Sequence, residues 1–546
     1  MNEVSLAYKQ AVYAPSRKTI ATVQFDILDN TAYDDNTYTV TSEAEISRLT
    51  QMDNKVRRMS SRYATFEKDY WRLDGTFCLP PKKSEAAADG LELGWWSNTL
   101  SDANGAFTPA QVVTSTFTND HSTAGITIAF DPATDEYAAD FDIDVFNGVN
   151  TVIDHLSVTG NTKNLYVYRR GLDKYRKIVI TIRKWAKPYR RARITEIDFG
   201  LVEVYTGEKL IKMNLIEEMN VTGDTIPANE LKFTVDNTDR EFNILNPEGF
   251  YKYLNKRQEV NASIGVEIAP DVFEYIDIKK YYLTDWQSNE GALTTTFTAR
   301  DALEMLDQYE YNTTYTGTLY GLASDVLTKA GITGYYLDPV LQDIPTTGFP
   351  AKINSRKAMQ CIGIASQCAV YQARSGDFNV RQFKELDART TYIQFAGEPD
   401  MYAGIAYVAT DSGYLMKNIS FDNVYAPPQI KLSKLIKALT INVYSGSSKT
   451  EYLFPNVGVE EGTALKLDNP LIQSLTLAHG VAAWLLSESN QRALYSVNWR
   501  QNPALEPGDI VIVEDSFGAK KQSRITKQEF EYAGYLSGKT ETKGGI

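Results

Sequence analysis

The chain has few of the side chains that usually carry acid–base, redox or metal chemistry. Its 546 residues include three cysteines and three histidines. His121, His155 and His479 lie far apart and lack metal-ligand spacing, which argues against a zinc site and against a Cys–His nucleophile. Three cysteines give no disulfide framework, and they fit a protein assembled in a reducing cytoplasm. We therefore expect no metal and no cofactor.

Long apolar runs are also missing. No stretch of about 18 apolar residues occurs, so we expect no membrane span. The opening sequence, MNEVSLAYKQ, lacks an apolar signal core, which argues against Sec export. A net charge of −13 disfavours wholesale nucleic-acid binding.

The charge is distributed unevenly along the chain. An acidic run, residues 121–155, holds seven Asp or Glu and no Lys or Arg, and a basic run, residues 163–193, holds twelve Lys or Arg. Within the acidic run, DFDIDVFNG (140–148) lacks the glycine and the glutamate of a calcium loop, so we predict a solvated strand face, with a cation site of another geometry as the alternative. The alternation in KIVITIRKW predicts that the basic side chains lie outward, on a solvated face or against an acidic partner.

Alternating patterns and a high aromatic content, with 34 Tyr and seven Trp, predict a mainly β (α+β) fold. Three helices interrupt the strands, over 319–330, from a cap at Ser355 to about 372, and over 470–492. In YRRARITEIDFG, alternation places Glu196 and Asp198 outward. The predicted segments are an N-terminal strand and connector (1–60), a β-sandwich (61–205), a barrel domain (206–312), a helix-containing α/β domain (313–395) and a second β domain with a long helix (396–546).

Two further motifs admit a functional and a structural interpretation. Trp95 and Trp96, in ELGWWSN, either fill the sandwich interior or contact a glycan through their ring faces. AGYLSGKT (533–540) fits a loose phosphate-loop pattern, but the chemistry requires a following helix, so we predict a hairpin at a sheet edge.

One stretch resembles a known family. FTVDNTDREFNILNPEGFYKYLNKRQEV (233–260) looks like a strand, loop and return strand of phage and prophage tail proteins from Gram-positive hosts. The segments 18–29, 271–306, 502–515 and 523–543 resemble other strands of the same architecture, in the same order along the chain. These relatives are baseplate hubs, also called tail-associated proteins.

The resemblance implies a structural protein. Hubs are homotrimeric rings whose barrel domains join the tail tube to the distal tail proteins and the tape-measure protein, while DNA passes through the lumen without specific binding. By this likeness, Phe242, Phe250, Tyr251 and Tyr253 are expected to pack within the barrel or between subunits. The expected location is the virion tail tip, after assembly in the host cytoplasm.

The end of the sandwich segment, YRKIVITIRKWAKPYRRARITEIDFGLVEVY (175–205), resembles discoidin-like, galactose-binding-like modules. This likeness implies a contact with host cell-wall glycan. The leading hypothesis is thus a non-enzymatic baseplate hub with an inserted carbohydrate-binding-like domain. A cell-wall glycoside hydrolase with an attached binding module stays an alternative, because paired carboxylates need only proximity in space. A standalone adhesin is the third.

Overall fold

A computed structural model describes most of the chain, and its fold class is mainly β, as predicted. It divides into two compact units. The first comprises Met1–Gln24, Val204–Asn246 and Glu259–Ile546, and the second comprises Phe25–Glu203 and Pro247–Gln258. The described residues are 2–55, 62–73, 75, 77–80, 92–223, 225–243, 245–246, 249, 253–254, 258–288, 291, 293–383, 418–419, 423–446, 448–514 and 520–545.

The elements are numbered in chain order. The α-helices are α1 Leu6–Ala11, α2 Asn30–Asp35, α3 Ala302–Leu306, α4 Leu319–Lys329, α5 Ser355–Ser366 and α6 Leu475–Asn490. The strands of the first half are β1 Thr19–Leu28, β2 Asn36–Val40, β3 Arg62–Tyr63, β4 Phe77–Cys78, β5 Trp95–Leu100, β6 Ala106–Ala129, β7 Ala138–Asn147, β8 Val152–Val158, β9 Leu165–Trp185, β10 Arg191–Ile194, β11 Glu196–Asp198, β12 Gly200–Thr206, β13 Leu210–Glu218, β14 Glu230–Asp236, β15 Glu259–Ala269, β16 Val272–Ser288 and β17 Thr294–Arg300. Those of the second half are β18 Glu310–Tyr311, β19 Gly317–Thr318, β20 Tyr335–Leu337, β21 Pro345–Thr346, β22 Ile353–Asn354, β23 Ala369–Gln372, β24 Phe378–Arg381, β25 Asn418–Ile419, β26 Gln429–Leu432, β27 Ile436–Ser445, β28 Ser448–Pro455, β29 Thr463–Asp468, β30 Ala493–Trp499, β31 Ile510–Glu514, β32 Lys520–Tyr532 and β33 Leu536–Gly544.

The second unit is built on two long strands, β6 and β9, which pair antiparallel. They lie at the centre of a sheet ordered β11-β6-β9-β7-β8, with β2 also on β6, and β5 and β10 form a separate pair. Alternation along β7 sends Phe141, Ile143 and Val145 into the core. The intervening aspartates therefore lie on the other face, as the sequence predicts.

The first unit contains a mainly antiparallel 13-stranded sheet, whose order is β12-β1-β15-β16-β17-β14-β13-β32-β33-β30-β26, with β31 on β32 and β25 on β31. Beside it a helical core forms where α3, α4, α5 and α6 bury their apolar faces. Each of the longer helices begins at a polar cap: the side chains of Thr318, Asn354 and Ser474 accept hydrogen bonds from first-turn N–H groups. In the described part of the chain, no helix is long and apolar enough to cross a bilayer.

The predicted α5 is wrong at both ends. The cap is Asn354 and not Ser355, because the Asn354 side chain accepts from the backbone N–H groups of Arg356 and Lys357 in the first turn. The helix ends at Ser366, where Gln367 adopts a left-handed conformation, and the chain continues as β23. The α4 prediction is confirmed, and α6 is shorter than predicted, beginning after Ser474.

Glu196 and Asp198 are also placed wrongly by alternation. Both are fully buried. The carboxylate of Glu196 accepts the backbone N–H of Lys55 at 2.7 Å, and that of Asp198 accepts the Tyr33 hydroxyl at 2.9 Å. Tyr33 and Lys55 thus cover a strand face that local pattern assigns to solvent, and both belong to the second unit.

A buried carboxyl at the start of α3 predicts a pH effect on the stability of the first unit. Burial raises the pKa of Asp301 to about 7, although its carboxylate accepts the N–H groups of Asn229 and Leu303. The unfolded chain ionises this group near its ordinary pKa of about 4. The protonated Asp301 carboxyl therefore stabilises the folded form fully below about pH 4. This contribution is lost as pH rises through about 7.

Asp301→Asn removes the titrating group and keeps an acceptor oxygen. The stability of this variant relative to the wild type is expected to rise between about pH 5 and about pH 8, as measured by urea unfolding. Asp325→Asn is the control: burial raises the pKa of Asp325, but hydrogen bonds from Lys329 and Tyr311 outweigh it and lower the pKa. Protonation of Asp325 affects stability only below about pH 4. The stability of Asp325→Asn relative to the wild type should therefore not change between about pH 5 and about pH 8. A flat response of Asp301→Asn would contradict the prediction.

Candidate functional site

The two tryptophans proposed as glycan contacts lie inside the second unit. Trp95 and Trp96 are each 0% exposed. The indole N–H of Trp95 donates to the Ser42 carbonyl at 2.8 Å, and that of Trp96 donates to the Leu93 carbonyl at 2.7 Å. Neither ring therefore presents a face to a sugar, and both occupy the interior position that the sequence allowed as the alternative.

Phe242 packs inside the first unit. Its ring meets that of Phe297 edge-on, with centroids 5.1 Å apart, and Phe297 in turn stacks on Phe233 at 5.1 Å. Phe233 and Phe297 face each other across β14 and β17. Phe242 is 3% exposed and therefore packs in the core of the first unit. Phe250 and Tyr251 lie outside the described residues.

Tyr253 lies in the second unit, against the backbone of β9. A Cβ atom at Gly171 would sit 2.6 Å from the Tyr253 hydroxyl oxygen. A larger side chain at position 171 would have to displace the end of the tyrosine ring. Tyr253 thus lies close to the central strand of its own unit.

The segment 62–73 exposes large apolar side chains, and the sequence pattern did not identify it as a site. Within residues 62–73, Phe66 is 102% exposed, Leu73 is 93% exposed and Trp71 is 40% exposed. Tyr189, which follows β9, is 39% exposed. Large apolar side chains exposed at a surface mark contact sites, and Lys68 of this segment lies against the Tyr189 ring. We call Phe66, Trp71 and Tyr189 the aromatic platform.

Tyr189 adopts a backbone conformation that a bulky residue rarely takes. Its φ is +57°, and Asp69 in segment 62–73 has a φ of +55°. Such left-handed residues persist where the surrounding structure imposes them, and they cluster at functional sites. The ammonium of Lys68 lies 5.2 Å from the centroid of the Tyr189 ring, so a cation–π contact joins the two parts of the platform.

The side chain of Arg190 connects the two segments that carry the aromatic platform. Its guanidinium donates to the backbone carbonyls of Lys68 and, at 3.2 Å, of Asp69. The same side chain donates to Glu136 at 3.1 Å. Since Arg190 directly follows Tyr189 in sequence, one buried side chain fixes both segments that carry the exposed rings.

Arg193 lies deeper and is completely buried. It donates to both carboxylate oxygens of Glu67, at 2.7 and 2.6 Å, and to Asp131. The face of its guanidinium stacks on Trp96 at 4.0 Å and on Tyr70 at 4.4 Å. Arg190, Arg193, Glu67, Asp131 and Glu136 together form what we call the buried ion network.

The network keeps Arg193 charged. Burial alone lowers the pKa of this guanidinium, but the carboxylates of Asp131 and Glu67 raise it well above its ordinary value. Two arginines thus face three buried carboxylates, an arrangement that holds only while every partner is present. Its chemical role is to fix the base of the platform.

The acidic and basic runs neutralise each other across one sheet. β7 and β8 carry the acidic side chains, β9 carries the basic ones, and β7 pairs with both neighbours. Arg183 binds Asp142 at 3.1 Å, and Arg170 lies 3.8 Å from Asp154. Arg183 and Arg170, two of the twelve cations of the basic run, therefore pair with carboxylates of the acidic run.

The sequence missed the environment of His121. Its Nδ1 lies 3.0 Å from Asp29 and its Nε2 lies 2.9 Å from Asp35, so the ring bridges the two ends of α2. His155 pairs with Asp144 at 2.7 Å. No local signal reports these pairs, because the partners of His121 lie about ninety residues earlier in the chain.

The described ranges hold no metal-ligand cluster, and two of the three cysteines are buried. Among those residues, no group of three or more His, Cys, Asp or Glu side chains could hold a metal ion. Cys361 and Cys368 are buried, and burial raises the pKa of their thiols to about 11 and about 12. Neither is therefore a reactive thiolate at neutral pH.

The solved structures to which this chain is similar include phage tail proteins and a carbohydrate-binding module. They include the 43 kDa tail protein of prophage MuSo2 from Shewanella oneidensis (TM-score 0.38, 13% identity, covering 62% of this chain and 95% of that one). The tail protein of Neisseria meningitidis MC58 gives a TM-score of 0.39 at 11% identity, covering 63% of this chain and 93% of that one. The third is a chitosan-binding module from a Paenibacillus sp. IK-5 chitosanase/glucanase (TM-score 0.19, 13% identity, 31% of this chain and 95% of that one).

No protein-family model and no curated protein matches the chain. Because the TM-scores and identities to solved structures are low, these likenesses do not by themselves assign a function.

Proposed function

We propose that this chain is a structural component of a phage-type tail, a baseplate hub that forms a homotrimeric ring at the tail tip. In this role it joins the tail tube and the tape-measure protein to the distal tail proteins, and it acts through shape and binding without breaking a bond. Its net charge of −13 suits a ring through which DNA passes, because like charge keeps phosphates from adhering.

One observation carries the proposal. The segments whose sequence resembles tail hubs are scattered from residue 18 to residue 543, yet they supply β1, β14, β16, β17, β32 and β33 of a single sheet. Segments that share a resemblance only by chance have no reason to be hydrogen-bonded neighbours. Their grouping supports the view that the resemblance follows one architecture.

The second unit is proposed to contact carbohydrate on the host surface. The aromatic platform supports this role, because exposed rings on a rigid base offer faces to sugar C–H groups at low entropic cost. The contact residues are then Trp71 and Tyr189, in place of Trp95 and Trp96.

Complementation separates the two roles. In a phage whose copy of this gene is deleted, complete tails should be absent, and wild-type protein supplied in trans should restore them. Trp71→Ala protein should restore tails to wild-type numbers while lowering adsorption to host cells, because Trp71 lies at the surface. Complete tails in the deletion strain would contradict the structural role.

A separate experiment tests the proposal that the protein acts without breaking a bond. Purified protein incubated with Gram-positive cell walls is expected to release no reducing ends above the buffer background. Release that disappears when one carboxylate pair is substituted would establish a hydrolase instead.

A further inference from the structure

Strand β26 lies at an edge of the large sheet of the first unit. The last part of that sheet has the order β26-β30-β33-β32-β31-β25, and four of these strands, β25, β30, β31 and β32, contribute to one apolar cluster. One side of β26 pairs with β30. In the described part of the chain, no strand pairs with its other side. The backbone N–H and C=O groups on that side can therefore pair with a further strand.

The pairing register shows that the core side of β26 is apolar and uncovered. Residues directly opposite each other in an antiparallel pair project to the same face. Ile430 lies opposite Tyr495, which is 4% exposed and belongs to the apolar cluster. Leu432 lies opposite Ala493 of the same cluster, which is 2% exposed. Ile430 and Leu432 thus point to the core side of the sheet, yet they are 52% and 55% exposed.

The opposite face of β26 is basic. Lys431 lies opposite Leu494, and Leu494 lies opposite Lys543, so the two lysines share the outward face. Lys434 and Lys437 follow shortly after β26 and are exposed. The stretch from 423 to 450 contains four Lys and no Asp or Glu. A strand placed beside β26 would therefore meet apolar side chains on one face and lysine on the other.

We propose that the free edge of β26 binds an extended segment of another polypeptide in which apolar and acidic residues alternate. The segment adds one strand to the sheet through main-chain hydrogen bonds. Its apolar side chains cover Ile430 and Leu432, and its carboxylates, on the other face, pair with Lys431. This inference goes beyond the proposed tail role and does not depend on it.

The same geometry disfavours other occupants of this edge. A second β26 pairing with the first would bring two Lys431 side chains together on one face, and opposed like charges destabilise a sheet. A nucleic acid offers phosphates to the lysines but no apolar side chains to cover Ile430 and Leu432. The distant carboxylates of this acidic chain act weakly here, because the Debye length at physiological salt is about 8 Å.

Binding of the full-length protein to three labelled peptides, followed by fluorescence anisotropy, tests the proposal. In the first peptide Glu and Val alternate, in the second Lys and Val alternate, and in the third Glu and Pro alternate. Proline keeps the negative charge of the peptide but removes backbone N–H groups, so it separates strand addition from simple charge attraction. We expect the Glu–Val peptide to bind roughly tenfold more tightly than either of the others.

Matched variants assign the binding to β26. Lys431→Glu should reverse the preference, so that the Lys–Val peptide binds more tightly than the Glu–Val peptide, whereas Lys352→Glu should keep the wild-type preference because its exposed side chain lies elsewhere in the first unit. Ile430→Thr should weaken binding of the Glu–Val peptide roughly tenfold. Ile211→Thr, at a residue that is 44% exposed on β13, should leave binding unchanged. Urea midpoints equal to wild type verify that these variants remain folded.

Four results overturn the inference. They are equal binding of the Glu–Val and Lys–Val peptides, equal binding of the Glu–Val and Glu–Pro peptides, and no binding of any peptide, whether or not a single-stranded oligonucleotide binds. The fourth is an oligomer of the wild type that Ile430→Thr abolishes and Ile211→Thr retains, since a second copy would then occupy the edge. None of these bears on whether the chain is in the tail, which complementation decides separately.

Discussion

Replacing Arg193 by methionine is expected to lower the free energy of unfolding of the second unit by roughly 3–5 kcal/mol. The substitution keeps apolar bulk against Trp96 but leaves Glu67 and Asp131 without the cation that they share. These two carboxylates are 3% and 0% exposed, so water cannot replace the guanidinium. Urea unfolding of the full chain, followed by hydrogen exchange of peptides within 62–73 and 92–203, measures the loss in the unit concerned.

Arg183→Met is the matched control for Arg193→Met. Arg183 also bridges to a carboxylate, that of Asp142, but its side chain is 41% exposed. Exposed pairs contribute about 1 kcal/mol or less, so this variant should stay near wild type. Similar losses in the two variants would show that the buried ion network does not hold the platform.

Gly538→Val is expected to destabilise the first unit by about 3 kcal/mol or more. Gly538 lies opposite Phe530 in the β32–β33 hairpin, and a Cβ atom there would overlap the Glu529 carbonyl oxygen. The obstacle is backbone, which cannot rotate away as a side chain would. The pairing that closes the sheet near the C-terminus must therefore open, and hydrogen exchange across 523–545 should rise.

Gly291→Ala is the control for Gly538→Val. Gly291 has nothing within 4 Å of its Cβ position. We expect a change within about 0.5 kcal/mol. A Gly538→Val protein with wild-type exchange in 523–545 would mean that the hairpin register given by the structure is wrong.

Period-two alternation predicts local strand structure well in this chain. The pattern assigns the strands β7 and β9, and the outward side of the acidic run, because alternation depends only on adjacent residues. The helix α4 is equally readable from its apolar face and its terminal glycine. Residues 536–544 form strand β33 of a β32–β33 hairpin and not the helix that a phosphate loop requires. The predicted edge position is wrong, because β33 also pairs with β30 on its other side.

Period-two alternation cannot predict contacts between segments that are distant in the sequence. Glu196 and Asp198 alternate as outward residues and are nonetheless buried, because residues 30–55 cover them. Arg193 meets partners that are 62 and 126 positions away. The aromatic platform was missed for the same reason. From the sequence alone, the aromatic residues of 62–73 resemble core residues, and the buried ion network that holds this segment depends on distant partners.

The resemblance to tail hubs and the geometry of the second unit address different questions. The resemblance predicts where the protein acts, and the platform predicts what it contacts there. A particle that assembles normally with Trp71→Ala and adsorbs poorly would separate these two roles in one experiment.

Electron cryomicroscopy of the assembled tail tip tests the central claim most directly. The account predicts three copies of this chain around the tube axis, with the 13-stranded sheets forming the ring wall. Tail tips complete without the chain, or holding it as a single copy off the axis, would contradict it.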